Sequence, residues 1–145
     1  MHARRVRLLP PTLAVRPYAL GVLLVLLIAL AVRVWLLERS GWMIDFDEAI
    51  VGIAGQRILK GDRPFFFYGQ PYMGALESYF AAAAFYIFGV ARWTLKLVPL
   101  VGCLALAGVS VWVGRLTSGP AAGLLAGLFV AVAPVYITVN ELRAL

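Results

Sequence analysis

The chain has 145 residues, of which 63% are hydrophobic and 14% are charged, and its mean hydropathy is +0.90. Soluble domains carry about 45–50% apolar and about 25% charged residues, so this composition excludes an ordinary soluble domain and indicates an integral membrane protein. The net charge of +6 does not indicate nucleic-acid binding, because the arginines stand beside apolar runs, where they set topology and meet lipid headgroups. With one cysteine, Cys103, and one histidine, His2, an intrachain disulfide and a Cys/His metal cluster are excluded.

The first 18 residues form a basic tail with four arginines and no acid, which the positive-inside rule places in the cytoplasm. Residues 19–37 form an apolar run close to the length that spans a bilayer. Arg33 interrupts this run, and its long side chain is expected to reach the headgroups. Ala29 and Ala31 also resemble a signal-peptidase site, so a cleaved signal peptide is the alternative to a retained first span.

Residues 38–94 are predicted to form an outer loop with two helices on the membrane surface. The first helix, over 47–60, is too short and too polar to span; it has isoleucines on one face and Glu48 on the other. The second is predicted over 72–90, opened by Pro71, with a true span as the alternative.

Two further apolar runs, 95–113 and 121–139, are long enough to cross. Their small residues permit close helix packing, or they reflect only the ordinary composition of membrane helices. The predicted fold is therefore an all-α integral membrane protein. It has three transmembrane helices and two interfacial helices in the first outer loop. In the alternative, with four spans, residues 72–90 also cross, and Arg92 and Lys96 become cytoplasmic.

Three of the seven acidic residues, Asp45, Asp47 and Glu48, lie at the N-terminus of the first loop helix. Asp45 at the N-cap and Glu48 three residues later form a capping-box pattern, which leaves Asp47 unexplained. Asp47 is a candidate general base, and the three carboxylates are alternatively oxygen ligands for a divalent metal. At the end of the same helix, Arg57 and Lys60 are candidates for contact with a lipid phosphate, or they serve only the helix dipole and the headgroups.

The Asp47-Glu48 pair is followed by an aromatic connector, residues 63–71, whose end overlaps the motif Gly69-Gln70-Pro71-Tyr72-Met73-Gly74. With the basic tail and the first span, these motifs resemble the N-terminal part of GT-C glycosyltransferases, which include protein O-mannosyltransferases and lipid A aminoarabinose transferases. The resemblance implies an enzyme of the inner membrane that transfers a sugar from a polyprenyl phosphate, with inversion. The acceptor is an extracytoplasmic glycan, lipid or protein. The connector residues that carry the resemblance are Tyr68, Gly69, Gln70, Pro71 and Tyr72.

The resemblance assigns the catalytic carboxylate to Asp47, with Glu48 and Asp45 as supporting acids. The Glu-x-Arg of a later outer loop falls on Glu141 and Arg143, which it places against the acceptor or a phosphate. Two positions depart from the family pattern: Ile50 stands where some relatives have Arg, and Gln70 stands where some have Lys.

Family members have many more spans than this chain. It is therefore expected to be the N-terminal piece of a longer enzyme or a separate short product, and to be inactive alone. Two other classes stay open. One is a non-catalytic membrane subunit or scaffold, in which the acids only cap a helix. The other is a transporter fragment, which predicts more polar residues inside the spans than 95–139 contains.

Overall fold

The computed structural model describes residues 11–133, with side chains from residue 17 onward except at 70 and 71. Five helices and one two-stranded antiparallel sheet make up this part of the chain. The helices are α1 Pro11–Arg39, α2 Phe46–Leu59, α3 Leu76–Phe88, α4 Arg92–Ser118 and α5 Pro120–Ala131, and the strands are β1 Phe66–Phe67 and β2 Gln70–Gly74. The prediction of a helical protein is confirmed, whereas the small sheet was not predicted.

Two helices among the described residues are long and apolar enough to cross a membrane. They are Pro17–Arg39, with 23 residues, and Arg92–Ser118, with 27 residues, and they contain the runs predicted over 19–37 and 95–113. Of the third predicted span, over 121–139, residues 134–139 lie outside the described part of the chain, and within the described part α5 ends at Ala131 after 12 residues. At 1.5 Å per residue such a helix is about 18 Å long, short of the roughly 30 Å hydrocarbon core.

Helices α1, α4 and α5 pack into a bundle. Their shared core consists of Val25, Ala29, Ala107, Val111 and Ala131. The backbones of α4 and α5 approach closely at Gly123, where an added Cβ would lie 2.5 Å from the Val111 carbonyl oxygen. Gly127 follows Gly123 at the Gly-x-x-x-Gly spacing that brings membrane helices together, so the close packing expected from the small residues is confirmed here.

Helix α2 lies within one residue of its predicted bounds and packs on α3. Its buried residues are Glu48, Val51, Gly52, Ala54 and Gly55. The face with Glu48 and the glycines is therefore the one that meets the protein, and Ile53 on the opposite face is 52% exposed. Gly55 allows the contact, because an added Cβ there would lie 3.1 Å from the backbone nitrogen of Ala82.

The start predicted for the second loop helix is wrong. Residues 72–74 belong to β2, and the helix begins at Leu76 and ends at Phe88 rather than covering 72–90. Pro71 accordingly lies within a strand and does not open the helix. Phe66 pairs with Gly74 and Phe67 with Gln70, and Gly69 adopts φ +81° in the connection between the strands. Aromatic residues favour strands, and glycine tolerates positive φ, so the local sequence supports a hairpin.

Candidate active site at the head of α2

The capping box predicted at the start of α2 is confirmed. The Glu48 backbone N–H donates to the Asp45 carboxylate over 3.0 Å. The Asp45 backbone N–H donates in return to Oε2 of Glu48, also over 3.0 Å. Both hydrogen bonds satisfy backbone donors that the helix itself cannot pair, so α2 has a fixed first turn.

The second carboxylate oxygen of Glu48 makes an ion pair that the sequence analysis did not predict. Oε1 accepts from the Lys96 ammonium in the second turn of α4. Glu48 is 1% exposed and Lys96 is 4% exposed. Removal of one partner from such a pair would leave the other charge buried and uncompensated, at a cost of about 3–5 kcal/mol. Glu48 therefore joins α2 to α4, and both of its carboxylate oxygens have partners within the protein.

Lys96 is a site residue that the sequence analysis missed. The hydropathy pattern marks it only as a charge near the start of a span. A lone lysine within an apolar helix is itself a signal, because such a charge needs a partner in the protein. The sequence did not say which acid that partner is, since the two residues stand 48 positions apart.

Asp47 differs from its two acidic neighbours. It lies in the first turn of α2 and is exposed. Within residues 11–133, no side chain or backbone group is hydrogen-bonded to its carboxylate, whereas Asp45 and Glu48 both serve the cap. The helix N-terminus favours a negative charge at this position. The structure thus places the exposed Asp47 carboxylate, which is not used in the cap, directly before the buried Glu48.

The predicted phosphate contacts lie at the other end of α2. At 1.5 Å per residue, Arg57 is about 15 Å and Lys60 about 20 Å along the helix axis from Asp47. The Arg57 guanidinium lies over the Tyr68 ring, 5.2 Å from its centroid, and the Tyr68 hydroxyl donates to Asp62 over 3.3 Å. The structure therefore brings Arg57 together with the connector and does not bring either cation to Asp47.

The connector forms the hairpin and its turn. Gly69 lies between the strands, Gln70, Pro71 and Tyr72 lie in β2, and Tyr72 is 81% exposed. The segment just before the hairpin is held to α3 by the Tyr79 hydroxyl, which donates to the Pro64 carbonyl over 3.2 Å. These residues form a surface beside α2 and α3, and Tyr68 is the connector side chain that meets a predicted site residue.

An apolar groove runs between α3 and α4. Its volume is about 810 Å³. The lining includes Phe80, Ala84 and Ile87 of α3 and Val98, Gly102 and Ala105 of α4. Glu77, in the first turn of α3, supplies the one acidic side chain of the lining. The groove has the dimensions and the chemistry of a site for a hydrocarbon chain.

The metal hypothesis gains no support from the described residues. Between residues 11 and 133, no three His, Cys, Asp or Glu side chains come together in a group that could hold a metal ion. Asp45 and Glu48 instead use their carboxylates in the capping box. Glu141 and Arg143, the candidates from the later loop, lie outside the described residues.

Comparison of the chain with family models, with curated proteins and with solved structures finds no match. The resemblance to GT-C enzymes therefore stays a prediction from the basic tail, the first span and the motif residues between Asp47 and Gly74.

Proposed function

We propose that the chain is the N-terminal part of a membrane glycosyltransferase that uses a polyprenyl-phosphate sugar as its donor. The acceptor is an extracytoplasmic glycan, lipid or protein, and Asp47 is the general base. The proposal rests on the surroundings of the Asp47 carboxylate. Asp45 and Asp47 are both exposed, and Asp47 is the one of the three clustered acids whose carboxylate takes no part in the cap or in the buried ion pair.

The proposed reaction needs one carboxylate at the N-terminus of α2, where the capping box fixes the first turn. Asp47 accepts the proton of the acceptor hydroxyl while the hydroxyl oxygen forms a bond to the anomeric carbon of the sugar. The bond between that carbon and the phosphate oxygen breaks, and the bonding pair leaves with the lipid phosphate. Attack from the face opposite the leaving group inverts the anomeric centre.

The groove between α3 and α4 supports the choice of a lipid-linked donor. A polyprenyl chain is an apolar ligand that needs such a surface at membrane depth. Volumes of about 300–1,000 Å³ are typical of ligand sites, and this groove falls within that range at about 810 Å³. Arg57 and Lys60 are too far along α2 to contact the leaving phosphate beside Asp47, so they are assigned to headgroups.

The proposed topology has a cytoplasmic N-terminus, three spans in the inner membrane and residues 38–94 outside. The contact between Glu48 and Lys96 supports it. If α3 crossed the membrane, the heads of α2 and α4 would stand on opposite faces and these side chains would not meet. The length of α3, 13 residues, also favours a helix that stays on one side.

Asp47→Asn in the full-length protein tests the proposal. With hexosyl and pentosyl polyprenyl phosphates as donors, release of polyprenyl phosphate should fall by about 10²–10⁴-fold, the usual contribution of a general base. Asp62→Asn is the matched control, because Asp62 is an exposed aspartate bonded to Tyr68 beyond the far end of α2. Transfer at the wild-type rate by Asp47→Asn would remove the assignment.

A non-catalytic membrane subunit is the second candidate. Its support is that the cap and the buried pair give Asp45 and Glu48 structural roles without any reaction. For this candidate, neither the wild-type protein nor Asp47→Asn releases polyprenyl phosphate from any donor. The same assay therefore separates the two.

A further inference from the structure

Arg33 is fully buried in the middle of the bundle. It lies six residues before the end of α1 and is 0% exposed. The expectation that its side chain reaches the headgroups is therefore wrong. Its guanidinium turns instead to the last residues of α5, where one terminal nitrogen donates to the Ala131 carbonyl over 3.2 Å and the other donates to the Val130 carbonyl over 3.1 Å. The first of these nitrogens also donates to the Ala29 carbonyl of α1 over 3.3 Å.

The carbonyl groups at the C-terminus of α5 need these donors, because the helix ends there. The helix stops at Ala131, and Val132 has φ −111° and ψ 25°. In a continuing helix, the N–H of residue 134 would bond to the Val130 carbonyl. Residue 134 is a proline, which has no N–H and also opposes a helical conformation of the preceding residue.

The location makes an unpaired carbonyl costly. Arg33 stands about 9 Å along the axis from the end of α1, so Val130 and Ala131 lie beside the interior of a helix long enough to span a membrane. At such depth water does not satisfy backbone groups, and the protein has to supply the partners. The planar guanidinium fork of arginine reaches two adjacent carbonyls at once, which a single lysine nitrogen does not.

We propose that Arg33 is a positioning residue that caps the C-terminus of α5 inside the bundle and fixes the depth at which the chain leaves this helix. The inference does not depend on the sugar-transfer reaction, because it concerns the carbonyls of α5 alone.

The first test uses the single cysteine as a reporter. Cys103 is buried, so reaction of its thiol with a maleimide dye follows unfolding of the bundle in detergent. Arg33→Leu should lower the midpoint temperature by on the order of 5 °C or more. The matched control is Arg39→Leu, because Arg39 ends the same helix and is exposed; this variant should leave the midpoint unchanged. Equal midpoints for the two variants would overturn the proposal.

The decisive variant is the double substitution Arg33→Leu/Pro134→Ala. Alanine restores the N–H that the helix needs, so α5 can pair its own Val130 carbonyl and no longer requires the guanidinium. We expect the double variant to recover most of the lost thermal stability. If Arg33→Leu does not accumulate in membranes, recovery of accumulation by the double variant supports the proposal. No recovery contradicts it, because the role of Arg33 would then not be to satisfy these carbonyls.

A local reading comes from a cysteine placed at Ala133 in a Cys103→Ala background. Loss of the cap should let the end of α5 open more often, so labelling at position 133 should be about tenfold faster in Arg33→Leu. Labelling of a cysteine at Ser40, beyond the end of α1, should not change. Equal rates at position 133 with and without Arg33 would contradict the proposed cap.

Discussion

Lys96 and Glu48, two residues 48 positions apart in the chain, form a buried ion pair that joins the first turn of α2 to the second turn of α4. The Glu48 carboxylate also closes the capping box with Asp45. One side chain therefore couples the local structure of α2 to the bundle. Asp47 stands directly before it, so the orientation of the proposed base depends on this pair.

Lys96→Met should be strongly destabilising. It leaves the Glu48 carboxylate buried without its counter-charge, and we expect a loss of about 3–5 kcal/mol. The measurement is the unfolding midpoint followed by reaction of Cys103. Lys60→Met is the control, because Lys60 is exposed at the end of α2. Lys96→Met/Glu48→Gln should cost less than Lys96→Met alone, since the uncompensated charge is gone. A Lys96→Met protein as stable as the control would contradict the role assigned to the pair.

The membrane topology can be read with single cysteines at Ser40, Arg92 and Ser118 in a Cys103→Ala background. These positions are exposed at the ends of α1 and α4. With α3 on one side of the membrane, an impermeant maleimide should label positions 40 and 92 in intact cells, and position 118 only after permeabilisation. Protection of position 92 together with labelling at 40 would mean that α3 crosses and that four spans are present.

The close approach of α4 and α5 predicts opposite effects for two glycine substitutions. Gly123→Ala introduces a Cβ 2.5 Å from the Val111 carbonyl oxygen, and it should cost about 1–3 kcal/mol. Gly108→Ala lies in α4 and meets nothing within 4 Å, so it should stabilise the helix by up to about 1 kcal/mol. Unfolding midpoints of the two proteins measure both effects. The same sign for both would show that the interface is not packed as described.

Blocking the groove should separate lipid binding from stability. Gly102 lines the groove, and an added Cβ there meets nothing within 4 Å. Gly102→Leu should therefore leave the unfolding midpoint intact. It should weaken binding of polyprenyl phosphate in nanodiscs by about tenfold, which corresponds to about 1.4 kcal/mol. Gly108→Leu, on the same helix outside the groove, is the control. Unchanged binding in Gly102→Leu would exclude the groove as the lipid site.

Local sequence was enough for the elements that depend on near neighbours. Hydropathy predicted the runs that became α1 and α4, because length and apolarity decide which helices suit a bilayer. The capping box was also predicted, because Asp45 and Glu48 are three residues apart and need no distant partner. The hairpin was missed: Pro71 was interpreted as a helix start, although Gly69 and the aromatic residues around it permit a turn between strands.

The tertiary structure decided everything that joins distant segments. It selected Lys96 as the partner of Glu48, and it turned Arg33 from the headgroups to the carbonyls of α5. It also chose which face of α2 meets the protein. In a membrane protein, apolarity does not identify the packed face, because lipid accepts an exposed isoleucine as readily as a core does. Small residues and charges determine which face packs, because close helix contact and ion pairing each require a specific neighbour. The sequence alone does not identify that neighbour.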